Sequence, residues 1–262
     1  MTAPRPNRLK ARLKNNETCF GVVMRLYSLE IVEMAAIAGC DFVVVDLEHE
    51  PLDLADAAAM IRTAALAGMT PIARIGRAWL HHVDPLLAAG AQGFSLARVQ
   101  SAADITTLAD AVLYHPHGKR TIYALSSSGH YGHETDEAEW SAAASAEIMI
   151  TAIIEEAAAL DDIDAIIAHP HLDVIEFGQK DLRHSLGMGK SVEEVRSIAR
   201  QIFAQAAEAG KATSHSVLGH ITTPERTTGL SHGSGTLLIS SPSDMVMSSL
   251  AEMMKVVRGE TA

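Results

Sequence analysis

Residues 42–50 read Phe42-Val43-Val44-Val45-Asp46-Leu47-Glu48-His49-Glu50. Four consecutive apolar residues, three of them β-branched, suit a strand covered on both faces, as in a parallel sheet flanked by helices. The run then ends on an acid and continues Leu-Glu-His, so a buried strand delivers charge at its C-terminal end. Working outward, similar short runs occur at 19–24, 71–75, 93–99, 148–154, 172–177, 212–217 and 236–240. Alanine-rich stretches of helical period alternate with them, at 29–38, 54–67, 83–89, 103–113, 157–168, 192–209, 223–230 and 243–257. Most have a polar cap before them or a Gly after. Eight βα units in 262 residues predict a single-domain α/β protein, a (β/α)8 TIM barrel. A doubly wound open sheet is the alternative, but Met24-Arg25-Leu26-Tyr27-Ser28 follows the first strand where a dinucleotide-binding fold would carry G-x-G-x-x-G.

Composition narrows the partners. With 32 acidic and 21 basic residues the formal net charge is −11, which argues against nucleic acid, and a 4% aromatic content leaves few rings for base stacking. Hydrophobic residues at 48% can fill a sizeable core. Cys19 and Cys40 are expected to be small buried thiols in a reducing compartment. The N-terminal segment is basic but has no apolar core of the length a secretory signal needs, and no stretch is long and apolar enough for a membrane span. The expected location is the cytoplasm. The segment 114–146, rich in His, Gly and Ser, is too long for an ordinary helix-to-strand connection and reads as an insertion-like loop before strand five. Its histidines, in His115-Pro116-His117 and at His130 and His133, are candidates for a substrate lid that folds back across the molecule.

In a TIM barrel the chemistry sits where strands run into the following loops. Those positions hold Asp46, Glu48 and His49 after strand two, Arg74 and Arg77 at strand three, Arg98 at strand four, Glu155 and Glu156 at strand five, and Gln179, Lys180 and Asp181 at strand six. Each alone is an ordinary polar loop residue; barrel geometry points them at one mouth. Glu155 and Asp181 on neighbouring strands bring two carboxylates together, and a divalent cation with oxygen ligands relieves their repulsion. So small a ligand set suits Mg²⁺, Mn²⁺ or Co²⁺ better than zinc. Arg74 can hold developing negative charge on an oxygen, and His49, three residues after Asp46, can move a proton to or from a hydroxyl.

The order Asp46-x-Glu48-His49, Arg74, Glu155, then Gly178-x-x-Asp181-Leu182 followed by Leu186-Gly187 resembles the HpcH/HpaI aldolase family, the metal-dependent class II pyruvate aldolases. The resemblance runs through nearly the whole chain; each motif is short, and their joint order is specific. It implies a (β/α)8 barrel assembled as a homo-oligomer, usually a hexamer with exchanged C-terminal helices. It also implies reversible cleavage of a 4-hydroxy-2-oxo acid into a small 2-oxo acid and an aldehyde. Carried over by position, Glu155 and Asp181 become the metal ligands, Arg74 the group that steadies the enolate oxygen, and His49 with Asp46 the acid/base pair. Gly178, Gln179 and Lys180 become substrate contacts.

Departures from the family pattern are equally specific. Where the family commonly has Gly-Pro-x-Asp-Leu-Ser, this chain has Gly178-Gln179-Lys180-Asp181-Leu182-Arg183, the position two before the glutamate ligand is Ile153 rather than Gln, and strand four ends Ala97-Arg98. Lys180 and Arg98 near the mouth suggest a substrate with extra negative charge, or else pair with Glu156 or Glu176. Three alternatives stand beside the aldolase: a Claisen-type condensation of a 2-oxo acid with an acyl-CoA, a Schiff-base aldolase using Lys180, and a non-catalytic ligand-binding barrel. Asp161-Asp162-x-Asp164 lacks the Gly and Glu of a calcium loop and reads as a solvated helix face, and Arg120 reads as structural.

Overall fold

The structure, a computed structural model, describes residues 3–133, 136–217 and 233–260. Eight strands pair in chain order, each parallel to the next, and the last closes on the first. They are β1 Thr18–Met24, β2 Phe42–Asp46, β3 Thr70–Ile75, β4 Gly93–Leu96, β5 Met149–Ile154, β6 Val174–Phe177, β7 Ala212–Ser216 and β8 Thr236–Ser240. This is the (β/α)8 barrel that the sequence predicts. The helices are α1 Arg8–Lys14, α2 Leu29–Ile37, α3 Leu54–Leu66, α4 Val83–Ala89, α5 Ala102–Val112, α6 Glu137–Ala146, α7 Ala157–Asp161, α8 Ile163–Ala168, α9 Gln179–Ser185, α10 Val192–Glu208 and α11 Pro242–Arg258. The predicted helix 223–230 lies outside the described residues.

Alternation along β2 shows how one strand serves two cores. Val43 and Val45 point outward into the layer between strands and helices, with Ile61, Ala64 and Leu87. Phe42 and Val44 point inward, where they meet Cys19, Ile72, Met149, Val174 and Leu237. Leu9 and Leu13 of α1 complete that inner cluster and plug the end of the barrel where the strands begin. Asn7 caps α1 through its side chain, which accepts from the Lys10 amide, and its Nδ2 donates to the carbonyls of Gln92 and Glu147, just ahead of β4 and β5. Gly21 is required beside this plug: a Cβ there would lie 2.5 Å from the Phe42 ring and from its carbonyl oxygen.

The structure differs from the sequence expectation in several local elements. Strand four stops at Leu96 rather than 99, because Arg98 takes φ 55° and turns the chain out of the sheet. The predicted helix 157–168 is two helices broken at Asp162, whose carboxylate accepts from the Ala102 amide at the start of α5 (2.8 Å). Asp162 is therefore a tie between neighbouring helices, not part of a solvated face. Three short helices, α1, α6 and α9, lie outside the helical stretches that the sequence predicts.

The segment 114–146 is not a lid over the strand C-termini. It lies at the opposite end, where the Ser128 amide donates to Ala88 O and the His130 ring contacts Ala3 O (3.2 Å). Arg120 stacks 4.5 Å from the centre of the Tyr114 ring, and Trp140 of α6 packs on the same tyrosine. The reason is chemical: the segment carries its own aromatic and cationic anchors, and they fasten it beside α4 and the chain preceding α1.

Candidate active site

Asp46 closes β2 pointing inward, completely buried. Its Oδ1 accepts from the Glu48 amide (3.1 Å), the His49 amide (3.4 Å) and Arg74 Nε (2.8 Å), and its Oδ2 accepts from Arg74 Nη2. Register explains the pairing, since Asp46 and Arg74 are opposite each other on β2 and β3. Burial pushes the Asp46 carboxyl upward, and the hydrogen bonds and charge of Arg74 outweigh it and hold it below the usual carboxylate range. Arg74 is in turn raised by Asp46 against the opposing effect of its burial. The guanidinium is thus a fixed cation whose plane is set from one side.

His49 stands beside this pair with its side chain 56% exposed. Nδ1 is 3.2 Å from Arg74 Nη2 and 3.6 Å from both Asp46 Oδ2 and Glu48 Oε2. Asp46 therefore does not hydrogen-bond the imidazole; it sets His49 through the backbone amide and through Arg74. Glu48, to which the sequence motif assigns no role, is part of the same cluster. Its Oε2 is buried without a hydrogen bond, and burial raises its carboxyl against the pull of His49 and Arg74.

Glu155 follows β5 and is 7% exposed. Its Oε1 accepts from the Arg98 amide at 2.7 Å, the bond for which the chain turns at Arg98. A Cβ on Gly178 would sit 2.6 Å from Glu155 Oε2, so the glycine makes room for this carboxyl. The Gly178 amide donates to Ile154 O, which removes it from any anion cradle. Burial raises Glu155 to about 7, further pushed by the charges of Glu48 and Asp181 and partly offset by the Arg98 amide.

Asp181 lies on α9, exposed, within electrostatic reach of Glu155. Gln179 and Lys180, on the same helix, are exposed. The Arg98 side chain is turned to Glu156, with Nε 2.7 Å from Oε1, and Ser185 Oγ holds the other Glu156 oxygen at 3.1 Å. A cleft of about 490 Å³, open to solvent and lined by Glu48, Gly76, Arg77, Trp79, Ala97 and Arg98, adjoins the mouth.

The chain matches the HpcH/HpaI aldolase/citrate lyase family over residues 21–241. It belongs to that family. Family membership makes it an enzyme of carbon–carbon bond cleavage, of the aldolase type. It is 32% identical to a hydroxypyruvate/pyruvate aldolase of Paraburkholderia phytofirmans, covering 78% of this chain and 80% of the relative. It is 31% identical to a 4-hydroxy-4-methyl-2-oxoglutarate aldolase of Hapsidospora irregularis, covering 80% and 76%. A crystal structure of an HpcH/HpaI aldolase from Desulfitobacterium hafniense DCB-2 superposes with a TM-score of 0.86 at 28% identity, covering 95% of this chain and 96% of the other.

The donor set fits a hard divalent cation of the kind the family fold implies. Glu48, Glu155 and Asp181 act on one another's charge at a mouth where Arg98 is already paired with Glu156, so the free carboxylates there outnumber the cation Arg74, itself held by Asp46. Among the described residues no cluster of three or more acidic, His or Cys side chains forms a closed metal cage. Two carboxylates with coordination left for substrate and water is the arrangement Mg²⁺ prefers. No helix among the described residues is long and apolar enough to cross a membrane.

Proposed function

We propose that this protein is a divalent-metal-dependent aldolase that cleaves or forms a 4-hydroxy-2-oxo acid through the enolate of a small 2-oxo acid. The observation that carries the reading is Glu155, a buried carboxyl raised to about 7 with Asp181 beside it and Arg74 fixed across the mouth. A cation such as Mg²⁺, Mn²⁺ or Co²⁺ held by Glu155 and Asp181 would supply Lewis-acid stabilisation to the enolate.

The remaining steps belong to the chain's own groups. Arg74, its plane set by Asp46, holds the oxygen on which negative charge develops; preorganised charge of this kind is worth roughly several kcal/mol of barrier. His49 takes the 4-hydroxyl proton at Nε2 in cleavage and returns it in synthesis. The neutral ring that accepts this proton at Nε2 carries its own proton on Nδ1, 3.6 Å from the carboxylates of Asp46 and Glu48. Once Nε2 has gained the proton, the same two carboxylates stabilise the charge of the imidazolium. The cleft beside Glu48 and Trp79 offers room for the aldehyde, or for an acyl group in the Claisen alternative.

A homo-oligomer is part of the proposal. Helix α11 leaves Val246, Met247, Leu250, Met253, Met254 and Val257 exposed along one chain segment, an apolar face that a second copy would cover.

The test is pyruvate release from 4-hydroxy-4-methyl-2-oxoglutarate and related 4-hydroxy-2-oxo acids, with Mg²⁺ or Mn²⁺ and after chelation. Cleavage that needs the ion and is abolished in Glu155→Ala and Asp181→Ala supports the reading. Cleavage unchanged by chelator and by both variants overturns it. Oxaloacetate with acetyl-CoA, run alongside, separates the Claisen reaction.

A further inference from the structure

The two carboxyls of the candidate cation site stand on different elements, and Glu156 is bonded to the supports of both. Glu155 and Glu156 follow β5 side by side, while Asp181 lies on α9. Glu155 Oε1 accepts from the Arg98 amide at 2.7 Å, with Arg98 at φ 55°. A left-handed backbone is unfavourable for a residue that carries a Cβ, so it persists only where its surroundings hold it. Glu156 supplies that hold: its Oε1 accepts from Arg98 Nε, also at 2.7 Å.

The other Glu156 oxygen reaches α9. Oε2 accepts from Ser185 Oγ at 3.1 Å, and the same hydroxyl accepts from the Ala157 amide at 2.9 Å. Ser185 is the last residue of α9, and at the opposite end of that helix the amide of its cap, Gly178, donates to Ile154 O at 3.0 Å. The helix is therefore fastened to the end of β5 at both of its ends, with Asp181 between the two ties.

Stability alone does not account for this network. The Arg98 side chain is 67% exposed, and an ion pair so open to water contributes little to folding. What the network fixes is the distance between the turn after β4, the end of β5 and α9, and hence the spacing of Glu155 and Asp181. Two carboxylates that repel each other separate unless they are held, and a cation with few protein ligands depends on groups that orient them.

We propose that Glu156 is the positioning residue of the cation site, setting Glu155 through Arg98 and the helix that carries Asp181 through Ser185. This rests on the reading that Glu155 and Asp181 hold the cation, and it adds the group that tunes their affinity for it.

The test is calorimetric titration of Mn²⁺ into wild type, Glu156→Ala, Glu156→Gln and Ser185→Ala, with melting temperatures measured on the same metal-free samples. Glu156→Ala is expected to weaken Mn²⁺ binding about 10-fold or more, as loss of a group that orients a metal ligand does, while its melting temperature stays close to that of wild type. Ser185→Ala, which leaves Glu156 in place, should weaken binding by a smaller factor. Glu156→Gln keeps an oxygen for Arg98 Nε and an N–H for Ser185 Oγ, and is expected to recover most of the affinity. Joined in one chain, Glu156→Ala and Ser185→Ala should lose less than the product of their separate losses, because both break one path. Glu156→Gln as weak as Glu156→Ala would assign the effect to charge and overturn the proposal. A loss of affinity that follows a fall in melting temperature across the variants would overturn it too. Failure of wild type to bind Mn²⁺ overturns the cation reading itself, whereas equal binding by wild type and all the variants leaves that reading standing and removes only the role of Glu156.

Discussion

The two ends of the barrel are made by the same strands and behave in opposite ways. Where the strands begin, Phe42, Ile72, Met149, Val174 and Leu237 close over Leu9 and Leu13, an apolar stack that excludes water. A few residues further along, the same strands present Asp46, Arg74, Glu155 and Glu176. The first end supplies stability and the second spends it on buried charge. The contrast teaches that the site's strain is affordable because the floor beneath it is so well packed.

Removing a carboxylate from the charged end is expected to have the largest functional effect. Glu155→Ala should lower aldol cleavage by about 10³-fold or more, as loss of a transition-state charge stabiliser does, while circular dichroism and denaturant midpoints show a chain at least as stable as wild type. A comparable activity with a destabilised fold would reverse the assignment of the two ends. At the apolar end, Phe42→Ala should cost about 3–5 kcal/mol in urea unfolding, with the surviving folded enzyme keeping its metal dependence. A small loss would mean that the plug is not where the stability resides.

Acidity separates the ends in a graded way. Glu155 goes from an ordinary value of 4.5 to about 7 on folding, so the folded chain holds this proton more tightly than the unfolded chain does. Its contribution to stability is complete below pH 4.5 and is lost as pH rises to 7, at up to about 1.4 kcal/mol per unit. Glu48 and Glu176, also raised by burial, act in the same direction, and the lowered Asp46 acts oppositely at acid pH. Thermal melts of metal-free protein from pH 5 to 7.5 should therefore decline, and added Mn²⁺ should remove the decline by favouring the ionised pair. A flat or rising profile contradicts the burial of an unneutralised carboxyl.

The smallest expected effect on chemistry concerns α11. Leu250→Asp should shift the sedimentation coefficient toward a smaller species, with the barrel still folded. An unchanged coefficient would mean that the exposed apolar face is not an interface.

Legibility followed the same division. The strand order was readable because runs such as 42–46 are apolar on both faces, and Arg74, Glu155 and Asp181 were readable because a charge after an apolar run must lie at the rim. Glu176 is a charge within an apolar strand, and sequence alone offers it as a partner for Lys180 or Arg98 because it does not say which face a residue takes. Glu48 escaped for a different reason: its burial comes from neighbours on other strands. The turn at Arg98 follows from a hydrogen bond to Glu155, 57 positions away, which no local pattern records. The direction of 114–146 depends on Arg120 meeting Tyr114 and on His130 reaching Ala3, contacts that exist only after the barrel closes.

A cation held by Glu155 and Asp181, its coordination completed by a 2-oxo acid, is the centre of the proposed chemistry. The direct measurement is calorimetric titration of Mn²⁺ at pH 7.5, with and without pyruvate or hydroxypyruvate, on wild type and on Asp181→Asn. The expected result is one site per chain, tightened by a 2-oxo acid and lost or greatly weakened in Asp181→Asn. No binding by the wild type, or a site that Asp181→Asn leaves untouched, would contradict it.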